Sequence, residues 1–531
     1  MEKFTLLIDG KDLDTEVYEY FPYADKYISD FKTTFRILTQ LKMGKIFEDS
    51  PEANEYIFAK YCVGKEDTNS KAIESAYKAS KVFRYFPVAK RRKILYDIHK
   101  YLIQKKEELI KLLIIEGHPR KLAEWEFSGM ERSFCKESLD LFKNELWKEV
   151  GYIDGETIYW ARKPDGVVCV NPPRNAPTSS LGAAFALLGG NTLIIKPPLK
   201  LPLFAIFLWK EVVNRALEEN GAPKGSLNIV LGNSEKITKE WLLSPYVNDI
   251  FYIGDSRKGL EIGKGIFEAN KKPILELSGN DMLFIWKDCD LEGALASALD
   301  AFLGSTQICM VPKKIIIHED IYGEFIPKFL EKVKNLKVGL PSDEETYLSP
   351  VMGIDKFFEF LNDALEKGAK LLCGGSRIDY KGNIDQNGIY IQPTVIVIED
   401  DKKAFDLKCV RDENFFPLLP IIKVSSDKQG KAKDKVIFNK MINIADLNEY
   451  GLRVSAWVSS YTYIRKFIKY LESGLLRINS RHVDFSYYLP AQGGIRKTGG
   501  PFGEMNYVWQ KTTHLQGISL TRKQVVKRRR F

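Results

Sequence analysis

The chain has 531 residues, of which 44% are hydrophobic and 28% charged; this excludes a disordered polymer and leaves room for two or three domains around large cores. Its net charge of +9 is a small excess of 79 basic over 70 acidic residues, and basic and aromatic residues do not interleave, so nucleic-acid binding is not expected. Seven cysteines form no CxxC pair and no even framework, which fits reduced thiols in a cytoplasm rather than disulfides. Residues 1–20 lack a basic start followed by an apolar core. The longest apolar stretch, Leu181 to Ile195, is cut by Gly182, Gly189, Gly190 and Asn191 and is too interrupted to span a membrane.

In chain order, a helix is expected over 26–43 and a pair of charged, amphipathic helices over 85–115. Residues 150–160 read as a hairpin turning at Asp154-Gly155. Then come a strand at 166–170, a small-residue helix at 178–189, a strand at 191–196 and a helix from about 202 to 219. Strands follow at 226–231 and 249–253, and Pro273–Gly279 is a strand-like run that carries Glu276. A second α/β run covers about 280 to 480, with strands at 314–317, 370–372 and 453–458 and helices near 320–335 and 355–367. This alternation predicts an α/β protein with doubly wound parallel sheets, which bind ligands beyond the carboxyl ends of their strands. The run 514–520 is a candidate strand that could pair with the hairpin.

Cys309 stands in the segment Phe302–Met310, among small or apolar residues and just ahead of the strand Lys313–His318. A thiol there and the Glu276 carboxylate can divide one reaction between them, the thiol attacking a carbonyl and the carboxylate activating the water that releases the product. On local sequence alone an inert core cysteine is the more frequent case. On local sequence alone Asn175, between prolines, reads first as a turn residue.

Seven motifs in order change that balance. They are Asn171–Pro177 (NPPRNAP), Gly190–Pro197 (GNTLIIKP), Gly254 with Gly259, Glu276–Gly279 (ELSG), Gln307–Cys309 (QIC), Glu413–Pro417 (ENFFP) and the glycine-rich stretch 493–503. With them the chain resembles the aldehyde dehydrogenase superfamily from about residue 64 to 520, and more loosely at 4–25. The resemblance implies an aldehyde dehydrogenase-like fold of two doubly wound α/β domains and a β arm. The cofactor domain would take 1–145 and 166–277, the catalytic domain 278–488 and the oligomerisation arm 146–165 and 505–525, with 526–531 left as a solvated basic tail. It implies NAD(P)-dependent oxidation of an aldehyde to a carboxylic acid through a thiohemiacetal and thioester on Cys309. The Asn175 amide and the Cys309 N–H would serve the oxyanion, and Glu276 would serve hydrolysis. Lys196, Gly232, Gly254, Asp255, Gly259, Glu413 and Phe415 would meet NAD or NADP, no metal is implied, and the arm implies a homodimer or homotetramer.

The sequence departs from the family pattern at several positions. Asp255 stands where a small hydroxyl residue is usual beside the pyrophosphate; it suits a helix N-cap but repels phosphate unless turned away, with Arg257 and Lys258 as possible offsets. Leu199, followed by Lys200, takes the place of a ribose-binding glutamate, which leans the cofactor toward NADP. Thr306 replaces a glycine and Asn280 a lysine. Ala176 and Ala183 suggest a roomy mouth, with Ile308, Met310, Tyr487 and Tyr488 as candidate lining for a bulky or apolar aldehyde; no arginine cluster near the cysteine announces an anionic one. Residues 26–60 read as an insertion that decorates the surface. The alternatives are an enzyme that passes the acyl group to coenzyme A, against which Glu276 argues, and a non-catalytic scaffold, which Asp255 and Thr306 keep open.

Overall fold

The computed structural model describes residues 1–141, 146–487, 494–500 and 508–521. Two seven-stranded sheets dominate them. The first has the order 272–276, 249–253, 167–171, 192–195, 227–229, 6–8 and 11–13. Its first five strands are parallel, and the N-terminal hairpin 6–13 closes the edge antiparallel. The second has the order 370–373, 394–398, 418–424, 314–318, 282–285, 453–457 and 475–478. Only its edge strand 370–373 is antiparallel.

Each central strand is a run of apolar residues because helices cover both of its faces. In Thr192–Ile195 and Lys314–His318 every residue is buried. Four apolar clusters result, two against each sheet: Leu193 and Ile195 face one cluster and Ile194 the other, while Phe284 and Ile316 lie opposite Leu283, Ile315 and Ile317. This is the alternation a doubly wound sheet requires.

The hairpin turns where expected. Strand 156–164 pairs antiparallel with 147–153 across the Asp154-Gly155 turn, where both residues have positive φ, and on its other side with 513–521. Residues 522–525, 505–507 and the tail 526–531 lie outside the described residues, as do Tyr488, Gly493 and residues 501–503.

Four expectations need correction. The helix foreseen at 178–189 is a 3₁₀ helix over Pro177–Ala184 followed by a short α-helix, Phe185–Gly189. The hydroxyls of Ser179 and Ser180 bond the carbonyls of Ala176 and Pro177, competing with α-helical backbone pairing. The helix at 202–219 contains a π segment, Leu208–Asn214. The helix at 26–43 breaks at Asp30, which caps Phe31–Lys42 by accepting the Thr33 N–H. The last part of the 26–60 insertion is not decoration: Ile57–Cys62 is a buried central strand flanked by Glu2–Phe4 and Tyr18–Pro22.

Gly166 opens the strand that leads to the Asn171–Pro177 turn. Its φ is +141°, and a Cβ there would stand 2.3 Å from Asn248 Oδ1, the oxygen that accepts the Val167 N–H. Gly166→Ala is expected to destabilise the fold by about 2 kcal/mol or more. Gly265→Ala, which meets nothing within 4 Å in helix Ser256–Glu268, is expected to be neutral or to stabilise by up to about 1 kcal/mol. Denaturant unfolding midpoints of the two variants check the contrast.

Candidate active site

In the first sheet the strand order reverses between 167–171 and 249–253, so a crevice opens beyond their carboxyl ends. The Asn175 turn follows the first of these strands and Gly254 the second. The Gly254 N–H donates to the Glu276 carbonyl at 2.9 Å, tying the end of strand Lys272–Glu276 to the same edge. From the second sheet comes the Cys309 loop, just before strand Lys314–His318.

That loop has an unusual backbone. Gly304, Ser305 and Thr306 are successively left-handed, with φ of 58°, 57° and 64°, and a β-branched residue in that region is a strained outlier. Hydroxyl bonds hold it there. Ser305 Oγ donates to the Ser349 carbonyl at 2.6 Å and accepts the Ser349 N–H at 2.9 Å, while Thr306 Oγ1 donates to the Ala301 carbonyl at 2.7 Å. Threonine in place of glycine therefore tightens the turn through a side-chain bond. On the far side, a Cβ on Gly279 would lie 2.2 Å from the Cys309 carbonyl, so only glycine admits this approach of the two chains.

Three of the residues singled out by sequence meet here. Asn175 Nδ2 donates to the Gln307 carbonyl at 3.0 Å, which brings its amide to the loop of the thiol. Glu276 is buried and is the carboxylate with the strongest electrostatic effect on Cys309, followed by Glu413 and Asp281. The thiol, partly exposed among Leu122, Trp125, Leu303, Met310 and Phe485, is raised well above the ordinary thiol range, first by desolvation and then by these carboxylates, against the opposing charge of Lys313.

The cofactor candidates fall into two groups. Lys196 and Gly232 follow adjacent strands of the first sheet, and Gly254 follows strand 249–253 on the other side of 167–171. Lys196 Nζ donates to Ser234 Oγ at 2.9 Å, and burial lowers its ammonium to about 8. Asp255 caps helix Ser256–Glu268, accepting the Lys258 N–H at 3.0 Å, with Arg257 and Lys258 exposed beside it. A Cβ on Gly259 would stand 2.1 Å from Leu277 Cδ2, so this glycine lets the helix pack on the segment after Glu276. Glu413 and Phe415 stand at the other side. Glu413 turns inward, accepting the Gly279 N–H at 3.1 Å and lying 4.0 Å from Lys313 Nζ, and this ammonium lies 5.2 Å from the Phe415 ring centroid.

A cavity of about 550 Å³ is lined in part by Trp125 and Phe485, two members of the apolar cluster that also holds Cys309. Arg132, Arg477, Ser128 and Tyr487 also line it, with the Arg132 guanidinium 4.2 Å from the Tyr487 ring centroid. One expectation needs correction: Ala183 does not shape the mouth, because it is fully buried in the core of the first sheet.

A sequence profile described as the aldehyde dehydrogenase family matches residues 42–518. The chain belongs to the aldehyde dehydrogenase family. A lactaldehyde dehydrogenase of Methanocaldococcus jannaschii is 31% identical over 85% of this chain and 92% of its own. The crystal structure of a glyceraldehyde-3-phosphate dehydrogenase from the same organism, complexed with NADP, superposes with a TM-score of 0.74 at 28% identity, over 88% of this chain and 96% of that one. An NAD-dependent aldehyde dehydrogenase from Sinorhizobium meliloti shares the fold at a TM-score of 0.80 and 21% identity, over 98% and 95% of the two chains. The protein is thus an NAD(P)-dependent oxidoreductase acting on aldehydes.

Sequence reasoning passed over one member of this aldehyde dehydrogenase's site. Lys313 is fully buried, and its ammonium donates to the carbonyls of Thr306 and Ile308, both at 2.7 Å. The signal that could have found it was a lysine pair opening an all-apolar strand, where charge is costly unless it is fully bonded. Asn280, in place of the usual lysine, donates to the carbonyls of Val410 and Arg411, and Lys314 donates to the carbonyls of Asn280 and Val410.

Because the Cys309 thiol is raised, its thiolate fraction near neutral pH is small and grows with pH. Alkylation of Cys309 by iodoacetamide in the cofactor-free enzyme should rise roughly tenfold per pH unit from 7 to 9 without a plateau. Glu276→Gln removes the largest opposing charge and should accelerate alkylation at each pH. Mass-spectrometric rates of labelling at Cys309 check both.

Proposed function

We propose that Cys309 is the nucleophile, Glu276 the hydrolytic base and Asn175 an oxyanion donor of this aldehyde dehydrogenase. The convergence of the Asn175 amide and the Glu276 carboxylate on the loop of one thiol carries the reading. A dinucleotide suits the chain at the first crevice: the Lys196 ammonium, the Gly232 backbone and the start of helix Ser256–Glu268 offer donors to an anionic ligand, and Glu413 and Phe415 offer partners for the nicotinamide half. Asp255 spends its charge on capping its own helix. Leu199 with exposed Lys200 supports NADP at least as well as NAD.

The Cys309 sulfur, as thiolate, bonds to the aldehyde carbon, and the carbonyl π electrons move to oxygen. The Asn175 amide and the Cys309 N–H stabilise that oxyanion. A bound nicotinamide dinucleotide supplies a two-electron hydride acceptor. At the thioester level, Glu276 takes a proton from water as its oxygen bonds to the acyl carbon; the carbon–sulfur bond then breaks, releasing the acid and restoring the thiolate. A carboxylate held beside the thiol favours this hydrolysis over transfer to coenzyme A.

For substrate we propose an aldehyde whose apolar part lies on Trp125 and Phe485 and whose far end is polar, toward Ser128 and Arg132. The relatives named for lactaldehyde and glyceraldehyde 3-phosphate support the polar end. The division into a cofactor domain (1–145 and 166–277), a catalytic domain (278–488) and an arm is part of the same reading. So is a homodimer or homotetramer, supported by exposed Trp147, Val150, Tyr152, Ile153, Trp160 and Leu515 on the arm. Among the described residues no helix is long and apolar enough to cross a membrane, and seven unbridged cysteines support a reducing, cytoplasmic setting.

Reduced-cofactor formation with NAD and NADP across a panel of aldehydes tests the chemistry. Cys309→Ala should abolish turnover while cofactor titration is unchanged. Glu276→Gln should leave a pre-steady-state burst of one reduced cofactor per subunit followed by steady turnover slowed roughly a hundredfold; a slowed or missing burst would contradict its role.

A further inference from the structure

Behind the Asn175 turn lies a buried charged cluster that the reaction scheme leaves unused. Glu116 and His118 follow helix Lys106–Ile115, and Glu126 stands in helix Arg120–Phe134; all three are buried. His118 Nδ1 lies 3.0 Å from Glu126 Oε1, and the ring also donates to the Arg174 carbonyl. Glu126 Oε2 accepts the Thr178 hydroxyl at 2.6 Å. Glu116 Oε1 accepts the N–H groups of Leu203 and Phe204 at 2.6 and 3.3 Å, which fixes the start of helix Leu203–Phe207 and places a second carboxylate near the ring.

An imidazole that close to one buried carboxylate and near a second is favoured as the cation. The carboxylates outweigh the desolvation of His118 and raise it above its ordinary value, while burial pushes Glu116 up to about 7. A buried ion pair is a poor source of net stability, since desolvation consumes most of its Coulombic gain. What this pair does have is direction. One contact lands on Arg174, immediately before Asn175, and the other on Thr178, at the first turn of the 3₁₀ helix after it. The Asn175 amide leaves this turn toward the Gln307 carbonyl at 3.0 Å.

We propose that the His118–Glu126 pair is a positioning device for the oxyanion donor, clamping the chain on both sides of Asn175 so that its amide stays aimed at the loop of Cys309. The inference rests on the role proposed above for Asn175. His118, Glu126 and Thr178 are buried behind that turn and act through it.

The test is a double-mutant cycle on the full-length enzyme, reading kcat at saturating aldehyde and cofactor. Asn175→Ala should lower kcat about a hundredfold. His118→Gln and Thr178→Val should each lower it about tenfold through misplacement of the donor, with cofactor affinity unchanged, and Thr178→Ser should restore it. In the Asn175→Ala background neither change should cost anything further. Losses that multiply instead, or single variants within twofold of the parent, would overturn the clamp while leaving Asn175 in its role. An Asn175→Ala enzyme as fast as the parent would sink that role and the clamp with it. If His118→Gln fails to fold by circular dichroism, the Thr178 series decides by the same criteria.

Discussion

The site hangs on one buried ammonium. Lys313 is shut off from solvent and gives its protons to the carbonyls of Thr306 and Ile308, on either side of Gln307, with Glu413 4.0 Å away. Carbonyls that point inward at a cation leave the neighbouring N–H groups of the same loop pointing the other way. That is the orientation a backbone oxyanion donor needs at Cys309. The same charge opposes three carboxylates, Glu276, Glu413 and Asp281, which would otherwise push the thiol still further from ionisation. Burying an ammonium costs several kcal/mol unless it is fully bonded, so the loop and its cation are stable only together.

The left-handed run Gly304–Thr306 follows from this arrangement. To aim successive carbonyls at one point and still approach Gly279 closely, the chain must leave the ordinary regions of backbone space. The strain, of order 1–3 kcal/mol for each such residue, is offset by the hydroxyl bonds of Ser305 and Thr306. Those bonds connect the loop to Ser349 and Ala301, and the second sheet thereby fixes Cys309, while the first sheet fixes Glu276 and Asn175. Reactivity is assembled across the two, and neither sheet holds enough of it alone.

Strong local signals made much of the fold legible. Apolar runs bounded by turns located strands such as 249–253, and Asp154-Gly155 located the hairpin of the arm, because in both cases near neighbours in sequence decide the outcome. The thiol and Glu276 were not decided locally: the run around Cys309 reads as an ordinary core cysteine, and only the order of seven motifs along the chain singled the pair out. What stayed hidden depends on contacts distant in sequence. Arg132 and Arg477 share a cavity only because Trp125 and Phe485 pack together there. Ala183 looked like open space near the mouth, yet the 3₁₀ turn directs it into the core. The strand Ile57–Cys62 lacked a partner until two segments of the N-terminus came to flank it.

Asp255 shows how a departure from a family pattern acquires physical sense. A carboxylate at a helix start competes with any phosphate for the same N–H groups. Here it bonds the Lys258 N–H, one of the several donors that the first turn leaves unpaired, and the adjacent Arg257 and Lys258 side chains bring positive charge to the same surface. The helix end is thus not neutralised: its field is divided between an internal cap and whatever anion lies beyond it. In the function proposed above, a weaker hold on the pyrophosphate from this helix shifts the burden of binding toward Lys196. Burial already brings its ammonium to about 8, so an anion placed against it favours the charged form and binds the better for doing so.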